Sequence, residues 1–415
     1  MLQVDVDRLR ADFEALASIG ATPDGGVDRT TSNDAHLAAR NWFLGRAKEA
    51  GLDTSIDPAG NHSALLLSGS EHARTLLLGS HLDSVPNGGN YDGALGVLAA
   101  LETLRVASEA GIELPITLEA IDFTDEEGTL VGLLGSWALA GMLTDEVLAS
   151  PRGGVEGLRD GLARAGLEPA RLTEARRDPS SLAGYLELHI EQGPVLEREQ
   201  VDIGVVTGIV GSRSFRLRFR GTRSHAGTTP MDARRDAAVG ASRFAAGVRE
   251  VVVRDFPGCV ATVGDIRVEP GAFNVVPGQA FVKLEFRSQQ EEQLDRLEDT
   301  LLSLARLEAE REELWLDVDP VGRWTAVVLD PGLRSTIAAV TAALGLSSLE
   351  LPSGAGHDAQ ALATVTRSAM IFVPSAGGLS HDPGEHTAWR DCVNGANVLL
   401  ATVLEVARAA NELLV

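Results

Sequence analysis

The feature that most constrains this chain is a set of apolar segments that break off into acids and imidazoles. TLLLGSHLD (residues 75–83) ends on His81 and Asp83, ITLEAIDF (116–123) leads into TDEEG (124–128), and YLELHIEQG (185–193) carries His189. Apolar runs of this length, bounded by polar motifs, read as strands of a sheet covered on both faces. Between the first two, Gly88, Gly89 and Gly93 punctuate a loop, and residues 94–107 place apolar positions at helical spacing. Strand, loop and helix in alternation predict an α/β layer whose mixed, largely parallel sheet is flanked by helices. Sites in such sheets lie at the carboxyl ends of strands, which is where these motifs fall.

A different texture begins near residue 210. SFRLRFR (214–220) alternates strictly and reads as a half-exposed antiparallel strand. A turn (221–230), a helix (about 233–253), strands near 260–268 and 280–286, and a charged helix over roughly 290–313 follow. This βαββα-like block predicts a small open-faced α+β sheet with helices on one side. The α/β pattern then resumes with a helix at 332–344, a strand at 368–373 and a terminal helix from 395 to 414. The expected organisation is therefore a discontinuous domain, 1–209 with 326–415, carrying an inserted domain at 210–325.

Composition bounds the partners. The chain has 415 residues, is 44% hydrophobic and 23% charged, and carries a formal charge of −23. An acidic surface of this kind excludes nucleic acid and anionic membranes as expected partners, while local arginines still allow a small anionic substrate. Cys259 and Cys392 both lie in apolar surroundings and read as buried free thiols. The first residues lack a basic segment followed by an apolar run, and no stretch approaches the roughly 20 uninterrupted apolar residues of a bilayer span. A cytoplasmic enzyme is the expectation.

His81, Asp92, Glu127, His189 and His381 each sit in a short polar motif able to hold metal, and together they read as a two-metal hydrolase site. Such a site needs cations about 3.5–4 Å apart, bridged by a carboxylate. Imidazole and carboxylate donors without thiolate suit zinc, manganese, cobalt or nickel. Asp83, two residues after His81, is positioned to accept the second ring N–H of that imidazole. Strand alternation sends the adjacent Glu126 and Glu127 apart, so Glu127 is assigned to metal and Glu126 to proton transfer.

The motifs GSHLDSVPNGGNYDG, TDEEG, ELHIEQGPVLE, FRGTRSHAGTTPMDARRDAA, FNVVPG, LPSGAGHDA and MIFVPSAGGLSHDPGEHT, in this order, resemble the amidase/hydantoinase/carbamoylase branch of the M20 metallopeptidase-like family. That branch includes N-carbamoyl-L-amino acid hydrolases, β-ureidopropionases and allantoate amidohydrolases. The resemblance implies a pair of divalent metals, zinc first among them, in the α/β domain, and an inserted lid domain that dimerises. It implies that Asp92 bridges, that His81 and His189 complete one metal, and that Glu127 and His381 complete the other. It further implies that His225 reaches a partner subunit's site and stabilises the developing oxyanion. Asn274 and Arg287 are then expected to grip a substrate carboxylate, and Gln192 and His357 to line the pocket. The implied reaction is hydrolysis of a linear ureido C–N bond, on an N-carbamoyl-L-amino acid first and on allantoate or a β-ureido acid as the alternative. Aminoacylase or dipeptidase activity is disfavoured by HIEQG. One departure stands out: where relatives commonly continue the acidic motif with Ser-Arg-Phe, this chain has Thr129, Leu130 and Val131, which raises the expectation of a more apolar wall near the metals.

Overall fold

The computed structural model describes residues 2–70 and 72–412. In chain order its strands are β1 (Asp53–Ile56), β2 (His62–Leu66), β3 (Thr75–His81), β4 (Thr117–Phe123), β5 (Leu182–Ile190), β6 (Ile203–Ile209), β7 (Gly211–Arg220), β8 (Ser224–His225), β9 (Val260–Glu269), β10 (Val275–Val276), β11 (Gln279–Ser288), β12 (Trp315–Trp324), β13 (Val327–Val328), β14 (Ser348–Ser353) and β15 (Ser368–Val373). The chain divides into two compact units, residues 1–207 with 329–415, and residues 208–328.

The first unit is built on a sheet ordered β1-β2-β4-β3-β5-β15-β6, with β14 also on β6. Its four central strands, β4, β3, β5 and β15, run parallel, and the flanking pairs are antiparallel. The central strands are buried along nearly their whole length, as a sheet covered on both faces requires. One cover comes from the helices Ala94–Glu109 and Trp389–Glu412, whose Leu98, Leu101, Leu399 and Val403 enter the same core as Leu76, Leu78, Leu186 and Ile371. Among the described residues, the terminal helix alone is long and apolar enough to cross a membrane, and 61% of that stretch is buried against this core. Apolarity here reflects an interior position.

The second unit has a four-stranded antiparallel sheet ordered β12-β7-β11-β9. Alternation along β7 and β11 turns Phe215, Leu217, Phe219, Val282, Leu284 and Phe286 onto the helices Ala237–Asp255 and Glu291–Arg311. The other face carries exposed ion pairs, Arg216 with Asp319 and both Arg218 and Arg220 with Asp317. The strand β12 is absent from the sequence expectation; its Asp-Val-Asp-Pro-Val-Gly stretch, with a register shift between Pro320 and Gly322, lacks a clean alternation. The unit's two ends pair with each other, Gly208 with Val328 and Ile209 with Val327.

Candidate metal centre

The centre gathers at the carboxyl ends of the parallel strands of the first unit. His81 closes β3. The amide of Leu82 donates to Asp122 Oδ1 at 2.9 Å, Arg40 Nε reaches the other oxygen at 2.7 Å, and Arg40 Nη2 bonds the Asp122 carbonyl at 3.1 Å. Both charges are buried, an arrangement that is tolerable only when paired and hydrogen-bonded; here it rivets the ends of β3 and β4 together. Arg29, also buried, donates to the Leu82 carbonyl at 3.0 Å, and burial pulls its guanidinium down to about 10 against the opposing pull of Asp83 and Asp122.

Asp92 ends the glycine-rich loop. Gly93 follows at φ +65°, and a Cβ there would sit 2.5 Å from the His81 ring, so only glycine lets the helix start this close. Glu385 holds the loop from the other side. Its Oε1 accepts the amides of Tyr91 and Asp92 at 2.9 and 3.1 Å, and its Oε2 accepts the Ser380 hydroxyl at 2.8 Å. The sequence reading did not single out Glu385, although it lies four residues after His381 in the same motif.

The two oxygens of Asp92 face two different groups. Oδ1 lies 3.0 Å from His189 Nε2 and 3.6 Å from His81 Nε2. Oδ2 lies 3.3 Å from His381 Nε2, which is 3.4 Å from Glu127 Oε2. His81, Asp92 and His189 form one potential metal-holding group, and Asp92, Glu127 and His381 form a second. The Nδ1 atoms of His81 and His189 lie 3.0 and 2.9 Å from the main-chain carbonyls of Asp83 and Ile190. A carbonyl only accepts, so each Nδ1 carries a proton, and in the neutral ring each Nε2 turns a lone pair toward Asp92. With Nε2 deprotonated, acceptor faces acceptor, and a divalent cation between them would satisfy both. Divalent metals fit this donor set, and they also fit its charge, because Asp83, Asp92, Glu126, Glu127 and Glu187 are gathered with few positive groups. Burial, then the negative charges of Glu127, Asp358 and Asp92, push the Glu126 carboxyl well above the ordinary range, against the opposing pull of His81.

The acidic loop is clamped from both sides. Asp83 accepts the amides of Glu126 and Glu127 at 3.3 and 3.2 Å and the Thr31 hydroxyl at 2.9 Å. Asp125, at φ +60°, accepts the amides of Leu130, Val131 and Gly132 at 2.9, 2.6 and 2.9 Å. Glu126 Oε2 then stands 3.7 Å from His81 Nε2.

Several side chains do something other than what the sequence leads one to expect. The second ring N–H of His81 goes to the carbonyl of Asp83, not to its carboxylate, which lies 3.6 Å away and serves the acidic loop instead. Gln192, expected along the pocket, donates through Nε2 to Asp92 Oδ2 at 2.8 Å. His357, expected there too, is buried beneath His189 with ring centroids 4.5 Å apart, and its Nε2 bonds Ser353 Oγ at 2.8 Å. Glu187, His189 and His357 form a further potential metal-holding group, so both side chains adjoin the ligand candidates. Leu130 and Val131 do not build an apolar wall at the metals: they are buried in a satellite core with Leu134, Leu158, Leu162 and Leu172. The apolar residues of the departure satisfy packing, with Asp125 securing their backbone.

His225, Asn274 and Arg287 belong to the second unit. His225 pairs with Val275 across β8 and β10, and the Ala226 amide donates to the Asn274 carbonyl at 3.0 Å. Arg287, on β11, bonds Glu285 Oε1 through Nε at 2.9 Å and Nη2 at 2.8 Å.

Comparison with known proteins gives the chain its family. Residues 77–405 match the model of peptidase family M20/M25/M40. The N-carbamoyl-L-amino-acid amidohydrolase of Paenarthrobacter aurescens is 38% identical over 96% of this chain and 97% of its own length. The allantoate amidohydrolase of Bacillus subtilis (strain 168) is 33% identical over 95% and 96%. A solved amidase of the hydantoinase/carbamoylase family from Burkholderia multivorans superposes with a TM-score of 0.89 at 35% identity, covering 98% of each chain. The chain belongs to the peptidase family M20/M25/M40, and it is a hydrolase of carbon–nitrogen bonds.

Proposed function

We propose that the protein hydrolyses the ureido bond of N-carbamoyl-L-amino acids to the amino acid, ammonia and carbon dioxide, using two divalent cations. The observation that carries this reading is Asp92, which offers one oxygen to the His81/His189 group and the other to the Glu127/His381 group. Bound there, the cations supply an acidified water and an electrostatic sink for charge on the carbonyl oxygen. Glu126 Oε2 takes the proton from the attacking water and delivers it to the leaving nitrogen, a role that its upward-shifted carboxyl fits. His225 donates to the developing oxyanion from a partner subunit. Asn274 and Arg287 hold the substrate carboxylate, with Glu285 orienting the guanidinium for a two-point grip. Gln192, Asp83 and His357 keep the ligand set in place. The working form is a homodimer in the cytoplasm, and zinc is the first candidate metal.

A panel of N-carbamoyl-L-amino acids, with ammonia release measured on protein loaded with zinc or manganese, tests the assignment. Turnover of carbamoylated amino acids in preference to allantoate supports it. The relative from Bacillus subtilis keeps allantoate as the second reading, and turnover of allantoate alone would replace the first with the second.

A further inference from the structure

We propose that Arg234 is a positioning residue that locks the orientation and tautomer of His225, with the ring proton on Nε2. This rests on the reading of His225 as the oxyanion donor and specifies how the chain prepares it. His225 is the last residue of β8, and the chain turns back at once. The amides of Gly227 and Thr228 point at His225 Nδ1 from 3.1 and 3.2 Å. A backbone amide nitrogen only donates, so Nδ1 must present its lone pair, and the neutral ring then carries its hydrogen on Nε2. The ring is exposed, and Nε2–H is the atom a substrate oxyanion would need.

The turn that aims those two amides is held by one guanidinium. Arg234 Nη2 donates to the Ala226 carbonyl at 2.6 Å and Nε to the Thr229 carbonyl at 3.1 Å, so both ends of the 226–229 segment are gripped by a half-buried planar fork. A point-charge ammonium cannot satisfy two carbonyls in that fixed geometry. Within the segment, the Thr228 and Thr229 amides return to the His225 carbonyl at 3.3 and 3.0 Å. A Cβ on Gly227 would lie 3.2 Å from His225 Cε1, so a side chain there would press on the ring. The amides thus stay on the ring only while the turn is held. Released, they hydrate, and the ring samples both tautomers and several orientations.

The test is a two-bond 1H–15N correlation spectrum of protein labelled with 15N-histidine, with His225 assigned from the His225→Gln spectrum. In the native chain we expect an unprotonated Nδ1 and a protonated Nε2. In Arg234→Gln the Nδ1 signal should move toward the averaged position of a freely solvated histidine, with Arg234→Lys intermediate. On the best carbamoyl substrate, Arg234→Gln should lower kcat by about 10-fold and change KM by less than about 2-fold. A native spectrum with protonated Nδ1, or an Arg234→Gln signal that does not move, would each overturn the proposal, as would a moved signal with kcat intact where His225→Gln does lower kcat. Should Arg234→Gln fail to fold by circular dichroism, Arg234→Lys, which keeps the charge but not the planar fork, is read the same way. If His225→Gln itself leaves kcat unchanged, the catalytic reading of His225 falls, while the spectrum still decides the lock.

Discussion

The two units handle charge in opposite ways. In the first, Arg40, Asp122, Asp83 and Asp125 are buried around the carboxyl ends of parallel strands, and each carboxylate is placed by named amides, hydroxyls or guanidinium groups. In the second, Arg216, Arg218, Arg220, Asp317 and Asp319 lie on an open sheet face in water. The fold explains the difference. A parallel sheet covered on both sides has no wet face, so every polar side chain it buries must find a partner. An antiparallel sheet with helices on one side keeps its charges on the other at little cost. Concentrated, preorganised chemistry belongs to the first arrangement, and adjustable contact belongs to the second.

Five measurements would break or sharpen this contrast. The largest effect is expected at Glu126→Gln, which should lower kcat by about 10³-fold or more while metal content, read by elemental analysis, stays unchanged. A comparable loss of bound metal would make Glu126 a ligand instead. Next, Asp122→Ala leaves Arg40 buried without its partner and should cost about 3–5 kcal/mol in denaturant unfolding. Leu130→Ala should cost about 2–5 kcal/mol through the cavity it leaves in the satellite core, with relative rates across the substrate panel unaltered; a shifted preference would return Leu130 to the substrate wall.

A smaller effect is expected from His62. Burial, helped by the positive charge of Arg40, lowers its imidazole to about 3. Because the folded value lies below that of the unfolded chain, the unfolded state takes up the proton first as pH drops from about 6.5. Stability is therefore full above that point and is lost as pH falls toward 3, by roughly 2 kcal/mol at pH 5. His62→Asn should remove that share of the difference between unfolding midpoints at pH 7 and pH 5. The smallest effect should come from Asp317→Ala, which frees two exposed arginines yet should change stability by no more than about 1 kcal/mol. If Asp317→Ala matched Asp122→Ala, the contrast between the units would collapse.

Much of this is legible in the amino-acid sequence alone. Runs such as TLLLGSH and the alternation of SFRLRFR announce a doubly covered strand and a half-exposed one, because burial on one or both faces sets the residue period. The gathering of His81, Asp92, Glu127, His189 and His381 was approachable because strand ends converge at one edge of the sheet. What stayed hidden depends on atoms brought together across long separations. Nothing local says that Glu385 accepts the amide of Asp92, that Gln192 turns onto Asp92 Oδ2, or that Leu130 finds Leu158 and Leu162. The same holds for the choice between the carbonyl and the carboxylate of Asp83, which rests on a difference of 0.6 Å between 3.0 and 3.6 Å. Strand β12 was lost for a local reason, since a proline and a glycine blur its alternation.

The pairing of Gly208 with Val328 has a consequence for how such a chain is assembled. Just beyond it, the amide of Leu329 donates to the carbonyl of Thr207 at 3.1 Å, so the host polypeptide leaves and resumes at neighbouring points. A short glycine link from Thr207 to Leu329 would close that gap without stretching a strand. The second unit thus enters and leaves the first through a single doorway, and exchanging it for another module needs a splice at one place in the chain.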